Sequence, residues 1–318
     1  MNSENIKIIF FGTPEFAAGI LKSLIDGDYS IAAVFTQPDK KVGRRREIVF
    51  SPVKKMAVEK EIKVFQPESL RDENIIENIR KIKPDLIIVA AYGKILQKVM
   101  LEIPKFGAIN IHASLLPKYR GASPVQCAIL SGEKKTGITL MQMNEKMDEG
   151  DILQQEKIEI GENETADALL ARLGKLGEKM IVKLIPDRIN GKVESVEQDH
   201  DKATYCKPIG REDGKIDWDN TAGEIFRQWR AYHPWPGIFS ILNAKNQPKR
   251  LKLSEIEIVP GNETGAEPGK IIKYNQEAAV QAKKGLIVLK KIQLEGKKEM
   301  DIEEFLRGNP EFIDSQLE

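Results

Sequence analysis
The stretch Ile6-Lys7-Ile8-Ile9-Phe10-Phe11-Gly12-Thr13-Pro14-Glu15-Phe16-Ala17-Ala18-Gly19-Ile20-Leu21-Lys22-Ser23-Leu24 decides the fold. Ile6 to Phe11 is a β-rich apolar run of the length expected for a strand buried on both faces. Gly12 ends it, Thr13 can cap, and Pro14 suits the first position of a helix. From Pro14 to Asp26, Phe16, Ile20, Leu21 and Leu24 fall on one helical face. A strand, a tight turn and an amphipathic helix open a βαβ unit, and the helix N–H groups point toward whatever lies above the sheet edge. Without the full G-x-G-x-x-G spacing, an ordinary strand-to-helix turn reads the same way.

The same rhythm continues outward. Ile31 to Thr36, Asp85 to Ala90 and Gly107 to Ile111 are further strand-length apolar runs, and Asn74 to Ile82 places Ile75, Ile79 and Ile82 on one helical face. Ala166 to Leu184 reads as a long helix carrying Leu169, Leu173, Leu176, Met180 and Leu184, ended by Pro186 and Gly191. This is an α/β pattern over residues 1–189. The polar, Gly- and Pro-punctuated stretch after Asn190 reads as a linker, 190–206, with a hairpin near it. Over 207–318 the period changes. One helix, Thr221 to Tyr232, begins with Thr221 and Glu224 spaced as a capping box. The strands Arg250 to Val259, Lys270 to Tyr274, Ala278 to Ala282 and Gly285 to Leu294 follow, which suggests a small barrel.

With 318 residues, 41% of them hydrophobic, the chain can build two packed cores. Lys and Arg total 49 against 48 acidic residues, so a nucleic-acid contact has to come from local clusters. Cys127 and Cys206 lack the spacing of a metal site or disulfide scaffold and fit a reducing cytosol. No apolar stretch reaches the roughly 18 residues of a membrane span, and Met1 to Lys7 is too polar for a signal peptide. A cytoplasmic location is expected.

Chemistry concentrates at Asn110-Ile111-His112-Ala113-Ser114-Leu115-Leu116-Pro117. Strand alternation puts Asn110 and His112 on one face, with Ile111 opposite, at the edge where open α/β sheets bind ligands. A lone histidine in a strand is commonly a satisfied core residue, but here one of only three is paired with an asparagine. Leu115-Leu116-Pro117 reads as core packing or as the wall of a pocket for a flat aromatic ligand. Met147-Asp148-Glu149-Gly150-Asp151 follows the strand Ile138 to Met143 and reads by composition as a solvated acidic turn. If Asp148 faces His112, the two donors can stabilise a developing oxyanion while the carboxylate accepts a proton from an attacking amine.

Together these residues resemble the folate-dependent formyltransferases, whose motif is Asn and His two residues apart, then Ser-Leu-Leu-Pro, then Asp in an acidic turn. Gly12-Thr13-Pro14-Glu15-Phe16, Thr36-Gln37-Pro38-Asp39, Ser51-Pro52-Val53-Lys54, Ala91-Tyr92-Gly93 and Pro234-Trp235-Pro236-Gly237 extend the resemblance to the branch that formylates methionyl-tRNA. It implies a Rossmann-like catalytic domain, a carboxyl-terminal OB-like barrel, 10-formyltetrahydrofolate as donor, no metal, and a monomer. It also implies that Asn110, His112 and Asp148 are catalytic and that Ser114, Leu115, Leu116 and Pro117 line the folate site. His233 stands where the family usually has Asn, and no role is assigned to it.

Two basic clusters are candidates for initiator methionyl-tRNA. Lys40 to Arg46 carries five positive charges in seven residues, of which Gly43-Arg44 aligns with the family's Gly-Arg; Arg44 and Arg45 are the candidate phosphate contacts. From Lys207 to Met300 there are 17 Lys or Arg against 12 Asp or Glu, densest at Lys245, Lys249, Arg250 and Lys252, with Lys249 and Arg250 as the candidates there. A flexible solvated loop and a merely charged barrel face read the same way. An amino-sugar-nucleotide formyltransferase, a folate-dependent hydrolase and a catalytically silent RNA-binding protein are the competing functions.

Overall fold
The computed structural model describes residues 6–42, 47–244, 247–261 and 264–318. Two compact units divide it, one comprising Met1–Val125, Lys134–Ile160 and Ala168–Lys207, the other Gln126–Glu133, Gly161–Asp167 and Pro208–Glu318.

In the first unit the chain runs β1 (Lys7–Gly12), α1 (Glu15–Asp26), β2 (Ser30–Phe35), β3 (Lys40–Val42), β4 (Glu47–Val49), α2 (Pro52–Glu59), β5 (Val64–Phe65), α3 (Glu73–Ile82), β6 (Leu86–Ala90), α4 (Lys98–Leu101), β7 (Ala108–His112), β8 (Arg120–Gly121), α5 (Pro124–Leu130), β9 (Lys135–Gln142), β10 (Ile152–Glu159), α6 (Ala166–Ile189) and β11 (Tyr205–Cys206); α5 and α6 are shared with the second unit. Seven strands form one sheet in the order β10-β9-β7-β6-β1-β2-β5. β7, β6, β1, β2 and β5 are parallel, and every residue of β6 is buried, as strands covered on both faces require. β9 pairs antiparallel with β7, and β10 with β9, so the sheet is mixed where sequence rhythm suggested parallel strands alone. Strand order reverses beside β1, because β2 lies on one side and β6 on the other. That reversal opens the crevice in which doubly wound sheets take ligands, at the carboxyl ends of β1, β6 and β7.

Several local expectations change. Pro14, not Thr13, occupies the cap of α1; its carbonyl accepts from Ala17 and Ala18 at 3.0 Å, while the Thr13 hydroxyl accepts from Gln37 N at 3.3 Å. α6 continues through Pro186 to Ile189. The proline cannot bond the Val182 carbonyl four residues back, which accepts instead from the Tyr29 hydroxyl at 3.1 Å, and Asn190 still donates to the Pro186 carbonyl. The polar stretch after Asn190 forms no hairpin among the described residues: Val196 bridges to Ile152, and β11 pairs parallel with β8.

The second unit adds α7 (Ala222–Tyr232), β12 (Ile238–Ala244), β13 (Gln247–Val259), β14 (Ile271–Tyr274), β15 (Glu277–Gln281), β16 (Leu286–Leu294), β17 (Met300–Asp301) and α8 (Ile302–Gly308). β12-β13-β16-β15-β14 is antiparallel throughout. Its two edges meet through the last residues: Ile241 and Glu318 exchange N–H···O bonds at 2.8 and 2.9 Å, while Ile271 donates to Ser315 and Leu317 to Gly269. The sheet thereby closes into an OB-like barrel with no long exposed edge on that side. Leu251, Leu253, Val280, Ile287 and Leu289 fill it. No described helix of the chain is long and apolar enough to cross a membrane.

α7 begins with the expected capping box: Glu224 N donates to the Thr221 hydroxyl, and Thr221 N donates to the Glu224 carboxylate at 2.8 Å. The Thr221 N–H and hydroxyl hold the Glu224 carboxyl below its ordinary value, so this contribution is present above the ordinary glutamate range and lost as pH falls through the lowered value. Thr221→Ala should destabilise α7 by about 1 kcal/mol, read as faster hydrogen exchange of its first-turn amides.

Candidate active site
β7 ends at the crevice, and its alternation delivers Asn110 and His112 to one face as expected. Ile111 turns the other way, toward Gly177 of α6. Across the ladder His112 stands opposite Thr139 of β9. That threonine hydroxyl donates to the Ser114 carbonyl at 2.6 Å and accepts from Leu116 N at 3.1 Å and Gln155 Nε2 at 2.8 Å. One donor and two acceptor sites are thus fully used, and the Ser114-to-Pro117 turn is fixed to the sheet. Ser114, itself buried, donates to the Lys118 carbonyl at 2.6 Å; Leu116 is buried, and Leu115 and Pro117 are half-buried.

Asp148 joins this group. Asn110 Nδ2 donates to its Oδ1 at 3.3 Å, Gly121 N donates to its Oδ2 at 2.8 Å, and His112 Nδ1 lies 3.8 Å from the same Oδ2. The last distance is too long for a hydrogen bond. The carboxylate is only 13% exposed and the imidazole 6%, so the acidic turn is not a solvated one. His112 Nε2 sits 2.9 Å from the Tyr119 carbonyl, which can only accept; Nε2 therefore carries hydrogen, and Nδ1 is the nitrogen that faces the carboxylate.

At the neighbouring strand ends, Gln37 Nε2 donates to the Tyr92 carbonyl at 2.9 Å, and Thr36 and Ser51 share a hydroxyl contact at 2.8 Å. The Tyr92 phenol is buried with no hydrogen-bond partner among the described residues, and burial pushes it up to about 12. Sequence reasoning missed the residues that hold Asp148 in place. Arg120-Gly121 directly follows the motif, and a glycine there is a readable signal: its φ is +110° and a β-carbon would come 2.3 Å from the Cys206 carbonyl oxygen. Gln198 offered none, sitting in a polar stretch.

Arg44 and Arg45 lie outside the described residues. The ribbon of β3 and β4 flanks them, pairing Val42 with Glu47. In the second unit Lys249 and Arg250 are half-buried on β13; Arg250 donates to Glu212 Oε1 at 2.6 Å and lies 4.4 Å from the Phe239 ring centroid. His233 contacts Asp167 Oδ1 at 3.2 Å in the same unit.

Residues 5–185 match the family described as formyl transferase, and residues 208–310 its C-terminal domain. The chain belongs to the formyl transferase family. It is 44% identical over 305 residues to the methionyl-tRNA formyltransferase of Caldicellulosiruptor saccharolyticus, covering 95% of this chain and 96% of that protein. Its similarity to the methionyl-tRNA formyltransferase of Alkaliphilus oremlandii is also 44% over 305 residues, covering 96% and 97%. Among solved structures, the N-formyltransferase of Helicobacter canadensis, in complex with folinic acid and dTDP-3-aminofucose, superposes with a TM-score of 0.65 at 21% identity, covering 89% of this chain and 99% of that one. At that identity the likeness shows the fold. A β-carbon at Gly121 would press on the Cys206 carbonyl and shift the N–H that bonds Asp148. Gly121→Ala should cost about tenfold or more in kcat, the equivalent of one hydrogen bond to a charged group, measured in a formyl-transfer assay on folded protein.

Proposed function
We propose that this chain transfers the formyl group of 10-formyltetrahydrofolate to the free amino group of initiator methionyl-tRNA, with Asn110, His112 and Asp148 as its catalytic residues. The observation that carries this reading is the convergence of an amide, an imidazole and a shielded carboxylate at the ligand edge of a chain 44% identical to methionyl-tRNA formyltransferases. The amino-sugar-nucleotide alternative has less support, since the sugar formyltransferases enter only as fold likenesses at 21 and 22% identity.

The residues divide the chemistry. Asp148 accepts the proton that the amine loses as its nitrogen bonds to the formyl carbon; the bond between the formyl carbon and the folate nitrogen then breaks, and that nitrogen takes up a proton as tetrahydrofolate leaves. One N–H of Asn110 Nδ2 is directed to Asp148, and the other can donate to the formyl oxygen as it gains charge. Because His112 Nε2–H is committed to Tyr119, only Nδ1 is left to face the reacting atoms. No serine or cysteine nucleophile is required, because an uncharged amine attacks a formyl carbon directly. The folate co-substrate supplies the activated formyl group. Half-buried Leu115 and Pro117, beside buried Ser114 and Leu116, fit a flat aromatic ring: Leu116 N and O are already bonded to Thr139 and Gln155, so the wall presents carbon rather than orphaned polar groups.

Asp148→Asn should keep the fold and abolish transfer, because an amide cannot take the proton; near-normal turnover would remove Asp148 from the mechanism. Asn110→Ala and His112→Ala should each lower kcat by about a hundredfold, or ~3 kcal/mol, with folate affinity retained. The acceptor is tested by offering charged initiator tRNA and an amino-sugar nucleotide side by side with the same donor. Formylation of the sugar alone would overturn the tRNA reading.

The proposed division is a catalytic module at 1–189, a connecting segment at 190–206 and a barrel module at 207–318, working in the cytoplasm as a monomer. Arg44, Arg45, Lys249 and Arg250 are the proposed phosphate contacts. Replacing Arg44, Arg45 and Arg46 together by Ala should weaken tRNA binding and flatten its salt dependence while leaving folate binding unchanged. A triple variant with wild-type affinity and salt slope would shift the contact to the Lys249 and Arg250 cluster.

A further inference from the structure
We propose that Gln198, locked by the buried guanidinium of Arg120, is a positioning residue that holds the backbone of the Asp148 turn and so sets where the catalytic carboxylate stands. The inference rests on the reading of Asp148 as proton acceptor.

The turn needs a clamp. Asp148 has φ +54°, a left-handed conformation that a non-glycine residue holds only against strain. One side-chain nitrogen restrains its main chain: Gln198 Nε2 donates to the Asp148 carbonyl at 2.9 Å and to the Gly150 carbonyl at 2.7 Å. Those two carbonyls span the turn around the catalytic residue. Gln198 is 3% exposed.

Its amide has only one workable orientation. Gln198 Oε1 accepts from Arg120 Nε at 3.2 Å and from Nη2 at 2.8 Å. A guanidinium only donates and carbonyls only accept, so flipping the amide would set donors against donors and acceptors against acceptors at all of these contacts. Arg120, 1% exposed, is fixed in turn: Nη1 reaches the Tyr205 hydroxyl at 3.2 Å and Glu149 Oε1 at 3.4 Å, and Nη2 reaches His200 Nδ1 at 3.0 Å. Glu149 supplies the countercharge such a buried cation needs. Arg120 also precedes Gly121, whose N–H holds the Asp148 carboxylate. One buried cation therefore governs both the side chain of Asp148, through the adjoining backbone, and its main chain, through Gln198.

Gln198→Glu separates positioning from folding. The substitution keeps the length and strengthens the contact with Arg120, but turns an oxygen toward the Asp148 and Gly150 carbonyls. The expected result is a folded protein, with an unfolding midpoint near wild type, whose kcat for methionyl-tRNA formylation falls about tenfold or more while KM for both substrates stays within about twofold. Gln198→Met, of similar length and uncharged, reads the same split if charge at this position disturbs folding. Wild-type kcat in the folded variants, or a raised KM with kcat unchanged, overturns the positioning role. Running Asp148→Asn alongside separates the two readings: an active Asp148→Asn removes the earlier assignment, whereas an inactive Asp148→Asn beside fully active Gln198 variants removes this one alone.

Discussion
A carboxylate withdrawn from water has to be surrounded by donors, and the active end of the first unit is arranged around that demand from Asp148. Water is largely gone, with 13% of the side chain exposed. Its replacement comes from a strand side chain, Asn110, and a backbone N–H at Gly121, with the His112 ring set close by. Asp148 lies 27 residues beyond Gly121 and 38 beyond Asn110, and it meets them where β7, β8 and the turn after β9 come together. Donors fixed in this way need no reorganisation as charge shifts during reaction, which is what makes preorganised polar groups more effective than water.

The sheet explains why that place exists. Parallel β1 and β6 are largely apolar runs, and the strand order reverses between them, which is where doubly wound sheets take their ligands. The antiparallel β9 then does something a parallel neighbour reached through a long crossover would not readily do. It brings Thr139 directly across from His112, where one hydroxyl saturates the main chain of the Ser114-to-Pro117 turn. The apolar wall proposed for the folate is thus held by the strand that also lies beside the imidazole.

Much of this was legible in the sequence, and what was not has a physical reason. Strand and helix periods depend on local burial, so Ile6 to Phe11, Asn110 with His112, and the Thr221 capping box could be read directly. The direction of β9 could not, since an apolar run is silent about which way its neighbour travels. Pro186 misled because the cost of a proline depends on whether the carbonyl four residues back finds another donor, and the Tyr29 hydroxyl that serves Val182 comes from 153 residues away in sequence. The acidic turn at Asp148 looks solvated in composition because its partners are a glycine N–H, an amide and a guanidinium from distant segments. Gln198 carried no signal, since a glutamine in a polar stretch acquires meaning only when two carbonyls and an arginine are folded onto it.

On the barrel, a charge count leaves out how the cations are paired. Its sequence carries an excess of cations, but Arg250 is committed to Glu212 at 2.6 Å, Lys291 to Glu255 at 3.0 Å, and Lys290 to Glu257 at 3.2 Å as well as to Glu277. Glu277 and Glu255 hold the ammonium groups of Lys290 and Lys291 above the ordinary lysine value, so those cations stay charged but partnered. A phosphate approaching any of them exchanges one ion pair for another, and the gain is only the difference between the two. Counterion release scales with cations whose neutralising partner is salt from solution, not with cations neutralised by the protein's own carboxylates. The affinity a basic surface contributes, and its dependence on salt, therefore follow from the pairing pattern on the barrel more closely than from its net charge.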